Sequence, residues 1–255
     1  MLLCVSIGNS DIALGLWDPQ RWLGHWRIRT VREQTPDEYA ILLKALLREG
    51  GYELAAVTRM VLASVVPPLT PVFTDLGRQY LAGEPLVVGP GIRTGLRIHI
   101  DNPVELGAVL VADAVAAYEH FHGACIVADF GTATAFSAVS ARGDLEGVSI
   151  ACGLGVTAEA LASRTAQLPR VGLVAPRAAI GKNTVRSMQS GLVFGYVGLV
   201  NGLVRRMRAE LGGEAKVIAT GSLSGIVAPL TNEINAVDPW LTLNGLRIIH
   251  ERNPA

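Results

Sequence analysis

The sequence predicts an α/β fold made of two copies of one domain, and three observations carry that prediction. The first is size with apolarity: 255 residues, 50% of them hydrophobic, with 28 glycines, suffice for one large core or two similar lobes. The second is CVSIGNSDIALGLW at 4–17, an apolar strand that turns at Gly-Asn-Ser and alternates back into apolar residues. The third is GACIVADFGTATAFSAVS at 123–140, which repeats the pattern: Ser6-Ile7-Gly8-Asn9-Ser10 lies over Asp129-Phe130-Gly131-Thr132-Ala133. Two such hairpins, each opening half of the chain, imply a duplicated domain with a cleft between its lobes. The division falls as 1–115 and 116–255.

The elements follow in order. The first hairpin covers residues 2–17 and continues into GHWRIRT at 24–30, which alternates as a third strand. TPDEYAILLKALLREGG reads as a helix, because Thr35 caps it, Pro36 takes its first position and glycines end it. RMVLASVVPPL is a buried strand stopped by Pro67 and Pro68, and VELGAVLVADAVAAYEHF is a long helix of small and apolar residues. VIATGSLSG at 217–225 adds a third glycine turn, after a strand and before a helical stretch. It is a candidate loop on the adenosine side of a nucleotide, or a routine strand-to-helix connection.

Composition excludes several classes. Twenty-two basic and 22 acidic residues cancel, so there is no footprint for nucleic acid or an anionic membrane surface. No apolar run approaches the roughly 18 residues that span a bilayer, and Ser6 and Asn9 interrupt any signal-like leader. Cys4, Cys125 and Cys152 are odd in number and widely separated, which argues against a disulfide framework or zinc site and for a cytoplasmic protein.

Glycine turns let a backbone approach phosphate oxygens, and an adjoining hydroxyl or amide adds a donor. Gly8, Asn9, Gly131, Thr132 and Gly221 are the candidate nucleotide-binding residues. A P-loop is excluded, since no Gly-x-x-x-x-Gly-Lys-Ser/Thr occurs. Gly153-Leu-Gly155 fits a looser dinucleotide pattern, but no strand ending in an acidic residue follows about 20 residues on. A phosphate hairpin normally ends its first strand in an acidic residue that holds a metal. The second hairpin has Asp129 there, the candidate metal ligand; the first has Ser6.

Over nearly its whole length the chain resembles the type III pantothenate kinases, through IGNSDIALGLW, WRIRT, SVVPPL, GPGIRTGL, DNPVELGA, DFGTATAF, LPRV, IGKNTVRSMQSGLVFGYVGLV, ATGSLS and LTLNGLRIIHERN. The resemblance implies an RNase-H-like, actin-like duplicated fold of the acetate and sugar kinase–Hsp70–actin type, and a homodimer. It implies transfer of the γ-phosphate of ATP to pantothenate, the first step towards coenzyme A, with Mg²⁺ and a monovalent cation (K⁺ or NH₄⁺). It also implies a pantothenate contact at Gly107, and at Thr184 reaching the site of the other subunit.

Several family positions differ. The resemblance places Asp at Ser6, and an Asp-Arg pair, base and substrate-binding arginine, at Val109 and Leu110. Ala135 and Ser137 stand where Thr and Asp are usual, and the stretch from Glu146 to Gly153 lacks one glycine and a proline. Phosphoryl transfer depends on positioning and charge neutralisation. A neutral Ser6 holds Mg²⁺ weakly. Val109 cannot accept a proton, a function worth about 10²- to 10⁴-fold, and Leu110 cannot pair with a carboxylate. Asp113 and Glu105 each lie one helical turn from Val109, about 5.4 Å, too far for a substitute base unless the substrate moves. Glu105 is expected at the helix start, Asp113 facing solvent or a partner chain, and His120 and His122 solvated at a helix end.

IGKNTVRSMQSG at 180–191 is intact, including Thr184; it is a residue set lent to a partner, or simply a helix start and dimer surface. Three functional expectations result. The chain is a catalytically impaired pantothenate kinase-like subunit, a pseudoenzyme in its own site, that completes the site of a competent paralogue in a heterodimer. Alternatively it is a stand-alone weak or altered-substrate small-molecule kinase, or a non-catalytic nucleotide-binding regulator.

Overall fold

The computed structural model describes residues 1–81 and 83–254. In chain order the first elements are β1 (Leu2–Ile7), β2 (Asp11–Asp18), β3 (Arg21–Arg29), α1 (Pro36–Glu49), β4 (Arg59–Ser64) and α2 (Leu69–Tyr80). Then come β5 (Leu86–Val87), β6 (Arg97–Ile98), α3 (Ala108–Phe121), β7 (Cys125–Phe130), β8 (Ala133–Val139) and β9 (Asp144–Cys152). The last are α4 (Leu154–Ser163), α5 (Thr184–Glu210), β10 (Lys216–Thr220), α6 (Ser224–Val227), β11 (Ala236–Val237) and α7 (Leu241–Arg252). The chain divides into two compact units, one of Met1–Gly95, Asp101–Ala116 and Trp240–Ala255, the other of Leu96–Ile100 and Ala117–Pro239.

The duplication is written in the pairing. In the first unit the sheet order is β3-β2-β1-β4-β5, with β1 antiparallel to β2 and parallel to β4. In the second it is β11-β10-β7-β8-β9-β6, with β7 antiparallel to β8 and parallel to β10. Read from the other edge, β9-β8-β7-β10-β11 repeats β3-β2-β1-β4-β5 strand for strand. Each central strand is buried on both faces, which is why LLCVSI and CIVADF read as near-continuous apolar runs.

In the first unit, Leu3, Val5 and Ile7 of β1 pack with Tyr39, Leu43 and Leu47 of α1 and Leu69, Phe73 and Leu76 of α2. Strand alternation sends Cys4 and Ser6 to the opposite face. There α7 contacts β1, β2 and β4, and Trp22 Nε1 donates to Asn244 Oδ1 at 2.9 Å. Helix α1 starts as its sequence demands: Thr35 and Glu38 form a reciprocal capping box with Pro36 just inside. In the second unit, Ile126, Ala128 and Phe130 of β7 pack with Leu192, Tyr196, Val200 and Val204 along α5.

Two expectations are corrected. The helix expected from VELGA begins only at Ala108; Pro103–Glu105 form a separate 3₁₀ turn, because Gly107 makes a poor helix interior. Asp113 does not face solvent or a partner. It is fully buried and accepts from Thr242 Oγ1 of α7 at 2.6 Å. His120 and His122 are exposed at the end of α3, as expected. Helices α3 and α7 meet at backbone distance: a Cβ on Gly245 would come within 1.8 Å of the Ala112 carbonyl oxygen.

Two predictions follow from this packing. Gly245→Ala has no flexible neighbour to displace, so it should lower stability by about 1–3 kcal/mol or more, read as a drop in the urea midpoint. In the second unit Glu233 bridges Arg205 at 2.6 Å and Arg208 at 2.5 Å, and those guanidinium hydrogen bonds hold its carboxyl below the ordinary value of 4.5. A lowered carboxylate contributes stability that is complete above its unfolded value and is lost as pH falls through the folded one. The stability gap between wild type and Glu233→Gln should therefore narrow on acidification below that value; a constant gap from neutrality to acid would refute the assignment.

Candidate functional site

The two hairpin turns are equivalent to the end of the first strand and then differ. Ser6 is the penultimate residue of β1, opposite Ala13 on one side and Ala63 on the other. Asp129 is the penultimate residue of β7, opposite Ala135 and Thr220. Beyond that point the turns part company. The last pair before the first turn is Ile7–Ile12, and Gly8 N–H donates to Asp11 O at 2.9 Å. The last pair before the second is Phe130–Thr134, and Gly131 N–H donates to Ala133 O at 3.1 Å. The second turn is thus one residue shorter. Both glycines use their own N–H to close the turn, so what they offer a phosphate is room for approach.

In the second unit Asp129, Gly131 and Thr132 are joined by two loops that come in at backbone distance. Gly221, directly after β10, has φ +85°, and a Cβ there would meet Asp129 Oδ1 at 2.6 Å and the Phe130 backbone at 2.7 Å. Leu223 N–H donates to Phe130 O at 3.4 Å, binding that loop to the turn. Gly153, directly after β9, donates its N–H to Thr132 O at 3.2 Å, and a Cβ on it would lie 2.3 Å from that oxygen. Only glycine fits at either place. Gly153, part of the looser dinucleotide pattern in the sequence, is the N-cap of α4 and packs on the second turn. Its signal was its position directly after a strand and before a helix.

Beneath this turn the hydroxyls of Tyr196 and Thr134 are hydrogen-bonded, and Tyr196 donates to the Cys152 carbonyl at 3.2 Å. Burial pushes the Tyr196 phenol up, outweighing the hydrogen bond with Thr134, which acts the other way. The phenol therefore stays protonated at neutral pH and ties α5 to β8 and β9.

In the first unit the turn Gly8-Asn9-Ser10 is held from β3 and the segment after it. Thr30 Oγ1 donates to Gly8 O at 2.6 Å and Thr30 N–H to Ser10 O at 3.1 Å. Arg27 pairs with Asp11 at 3.0 Å, and an Arg32 N–H reaches Asn9 Oδ1 at 3.4 Å. Ser6 is buried. Gly107 lies before α3, its α-carbon facing Val65 of the loop after β4. Val109 and Leu110 form the first turn of α3, both half-buried, so that turn presents aliphatic groups and no titratable one. Glu105 is exposed and accepts from Asn102 Nδ2 at 2.7 Å.

Thr184 is the first residue of α5, exposed, behind the N-cap Asn183, whose side chain accepts from Arg186 N–H at 2.9 Å. Asp129 belongs to no cluster of three potential ligands among the described residues. His99, Asp144 and Glu146 form one, with ligand atoms within 4.8 Å of one another. There Arg97 at 2.7 Å and Arg142 at 3.5 Å already neutralise the buried Asp144, which marks a structural ion pair.

A family model described as type III pantothenate kinase matches residues 2–206. A type III pantothenate kinase of Moorella thermoacetica is 48% identical over 253 residues, 99% of this chain and 100% of the relative. One of Myxococcus xanthus is 46% identical over the full length of both. Among solved structures, the ethanolamine utilization protein EutJ from Carboxydothermus hydrogenoformans has a TM-score of 0.57 at 14% identity, covering 97% of this chain and 89% of that one. The activator of 2-hydroxyisocaproyl-CoA dehydratase from Clostridium difficile, with bound ADPNP, has a TM-score of 0.53 at 11% identity, covering 98% and 95%. These two likenesses concern the fold alone, a duplicated α/β fold of the actin-like type.

The thiols supply a check on the second turn. Burial pushes Cys125 up to about 12 and raises Cys4 still further, whereas Cys152, the last residue of β9, is exposed. A thiol-specific reagent should titrate one cysteine in the native protein and three after unfolding. Native labelling at Cys4 or Cys125 would contradict the packing of the central strands.

Proposed function

This chain belongs to the type III pantothenate kinase family, and on that premise we propose that it is an ATP-using, pantothenate kinase-type subunit with an impaired site of its own. The reading has it lend Thr184 to a competent paralogous chain in a heterodimer. The single observation that carries it is the first turn of α3, which presents Val109 and Leu110 where the family resemblance places a base and an arginine. Neither can take a proton from a substrate hydroxyl or pair with a carboxylate. The nearest carboxylate along the helix, Asp113, is buried against Thr242, which removes it as a substitute base.

The residues fit the family's cofactors unevenly. Asp129, crowded by Gly221 and bordered by Gly131 and Thr132, suits a metal-bound phosphate. Ser6, at the matching point of the first hairpin, offers only a hydroxyl. When bound, Mg²⁺ and a monovalent cation would neutralise charge on the ATP phosphates. In this reading the nucleotide-binding residues are Gly8 and Asn9 in the first unit and Gly131, Thr132 and Gly221 in the second, and Gly107 is a pantothenate contact. Cytoplasmic residence is part of this reading, supported by three free cysteines; no helix among the described residues is long and apolar enough to cross a membrane.

A second reading, a stand-alone kinase for a less anionic substrate, draws on Leu110 alone. The two separate in one assay, ATP-dependent phosphorylation of pantothenate by the purified chain, alone and mixed with a paralogue. Turnover only in the mixture, abolished by Thr184→Ala in this chain, is the expected result; robust turnover by the chain alone would overturn it. In the homodimer, Ser6→Asp, Val109→Asp and Leu110→Arg together should raise activity by at least about 10²-fold.

A further inference from the structure

We propose that Arg32 is a phosphate-binding residue of the first hairpin, meeting the polyphosphate of a nucleoside triphosphate at the Gly8-Asn9-Ser10 turn. The proposal rests on the ATP reading above and adds a cationic residue to it. Arg32 is exposed, and its guanidinium touches the turn through Asn9 Oδ1 at 3.4 Å.

Two acidic groups near the turn are engaged elsewhere. Arg27 neutralises Asp11 at 3.0 Å, and Glu38 is held in the α1 capping box, accepting from Thr35 N–H at 2.7 Å. Glu33 follows Arg32 in the chain, and no ion pair joins the two among the described residues. Ser6 adds no negative charge at the end of β1. A positive charge is therefore left at the mouth of a turn whose usual carboxylate is missing.

The segment carrying Arg32 is fixed. Thr30 is bonded to both Gly8 and Ser10. The buried Tyr39 of α1 accepts from Val31 N–H at 3.1 Å and donates to Val31 O at 2.8 Å. Burial, first among its causes, raises that phenol's pKa, so it remains a donor at neutral pH. Three residues later Thr35 caps α1. Arg32 is thus a planar, permanently charged donor set on a backbone anchored at both sides, the arrangement that recognises phosphate through paired N–H bonds. Where a carboxylate would recruit a metal to bring charge to the phosphate, a guanidinium supplies the charge directly.

The test is calorimetric titration of the full chain with ATP, ADP and adenosine, for wild type, Arg32→Gln, Arg32→Lys and Arg21→Gln. Arg21 lies at the far end of β3 and serves as the charge control. Arg32→Gln should weaken ATP binding at least about tenfold and leave adenosine unchanged, with Arg32→Lys intermediate and Arg21→Gln equal to wild type. Wild-type ATP affinity in Arg32→Gln would overturn this assignment while leaving the ATP reading standing. Equal weakening by Arg21→Gln would overturn it too, by reducing the effect to general charge. No ATP binding by the wild type would sink the ATP reading itself, and this assignment with it.

Discussion

Each unit depends on a single strand that is paired on both edges and covered on both faces. β1 and β7 bond antiparallel to the strand that follows them and parallel to the strand after the next helical segment. That double commitment fixes their register, because a slip of one residue would turn every buried side chain to the wrong face. It also fixes which residue stands one place before the turn. Ser6 and Asp129 are comparable because the hydrogen-bond ladder puts them at the same point in the two units.

Around that point the second unit is built for close backbone approach. Gly153 and Gly221 come from loops following two different strands, and each leaves no room for a side chain against the turn. The first unit solves the same problem with side chains: Thr30 and Arg32 reach the turn from one edge, and Tyr39 braces them from α1. One turn is enclosed by main chain and offers a carboxylate. The other is enclosed by side chains and offers a cation. The repeated strand order accounts for the presence of two turns, and the two differ in the charge each presents.

Much of this was legible in the sequence where the cause was local. Helix α1 could be read from Thr35, Pro36 and Glu38, which sit within one turn of each other. The equivalence of Ser6 and Asp129 could be read from two matching apolar runs. What was hidden depended on distant partners. Asp113 looked solvent-facing because nothing near it in the chain announces Thr242, which lies 129 residues on. Gly153 looked like part of a dinucleotide pattern because its contact with Thr132 is made across a hairpin. The late start of α3 at Ala108 reflects Gly107, whose cost to a helix interior outweighed an apolar pattern that continued through it.

The unequal length of the two turns has a consequence for any attempt to make one half behave like the other. Side chains can be exchanged one at a time, but a residue added to the turn between two paired strands changes which residues stand opposite each other along the whole ladder. An aspartate placed at position 6 would add the charge without reproducing the backbone path that surrounds Asp129 in the second half. The two halves therefore differ in scaffold as well as in chemistry, and a graft that aims at symmetry would have to delete a residue from the first turn as well as replace the serine.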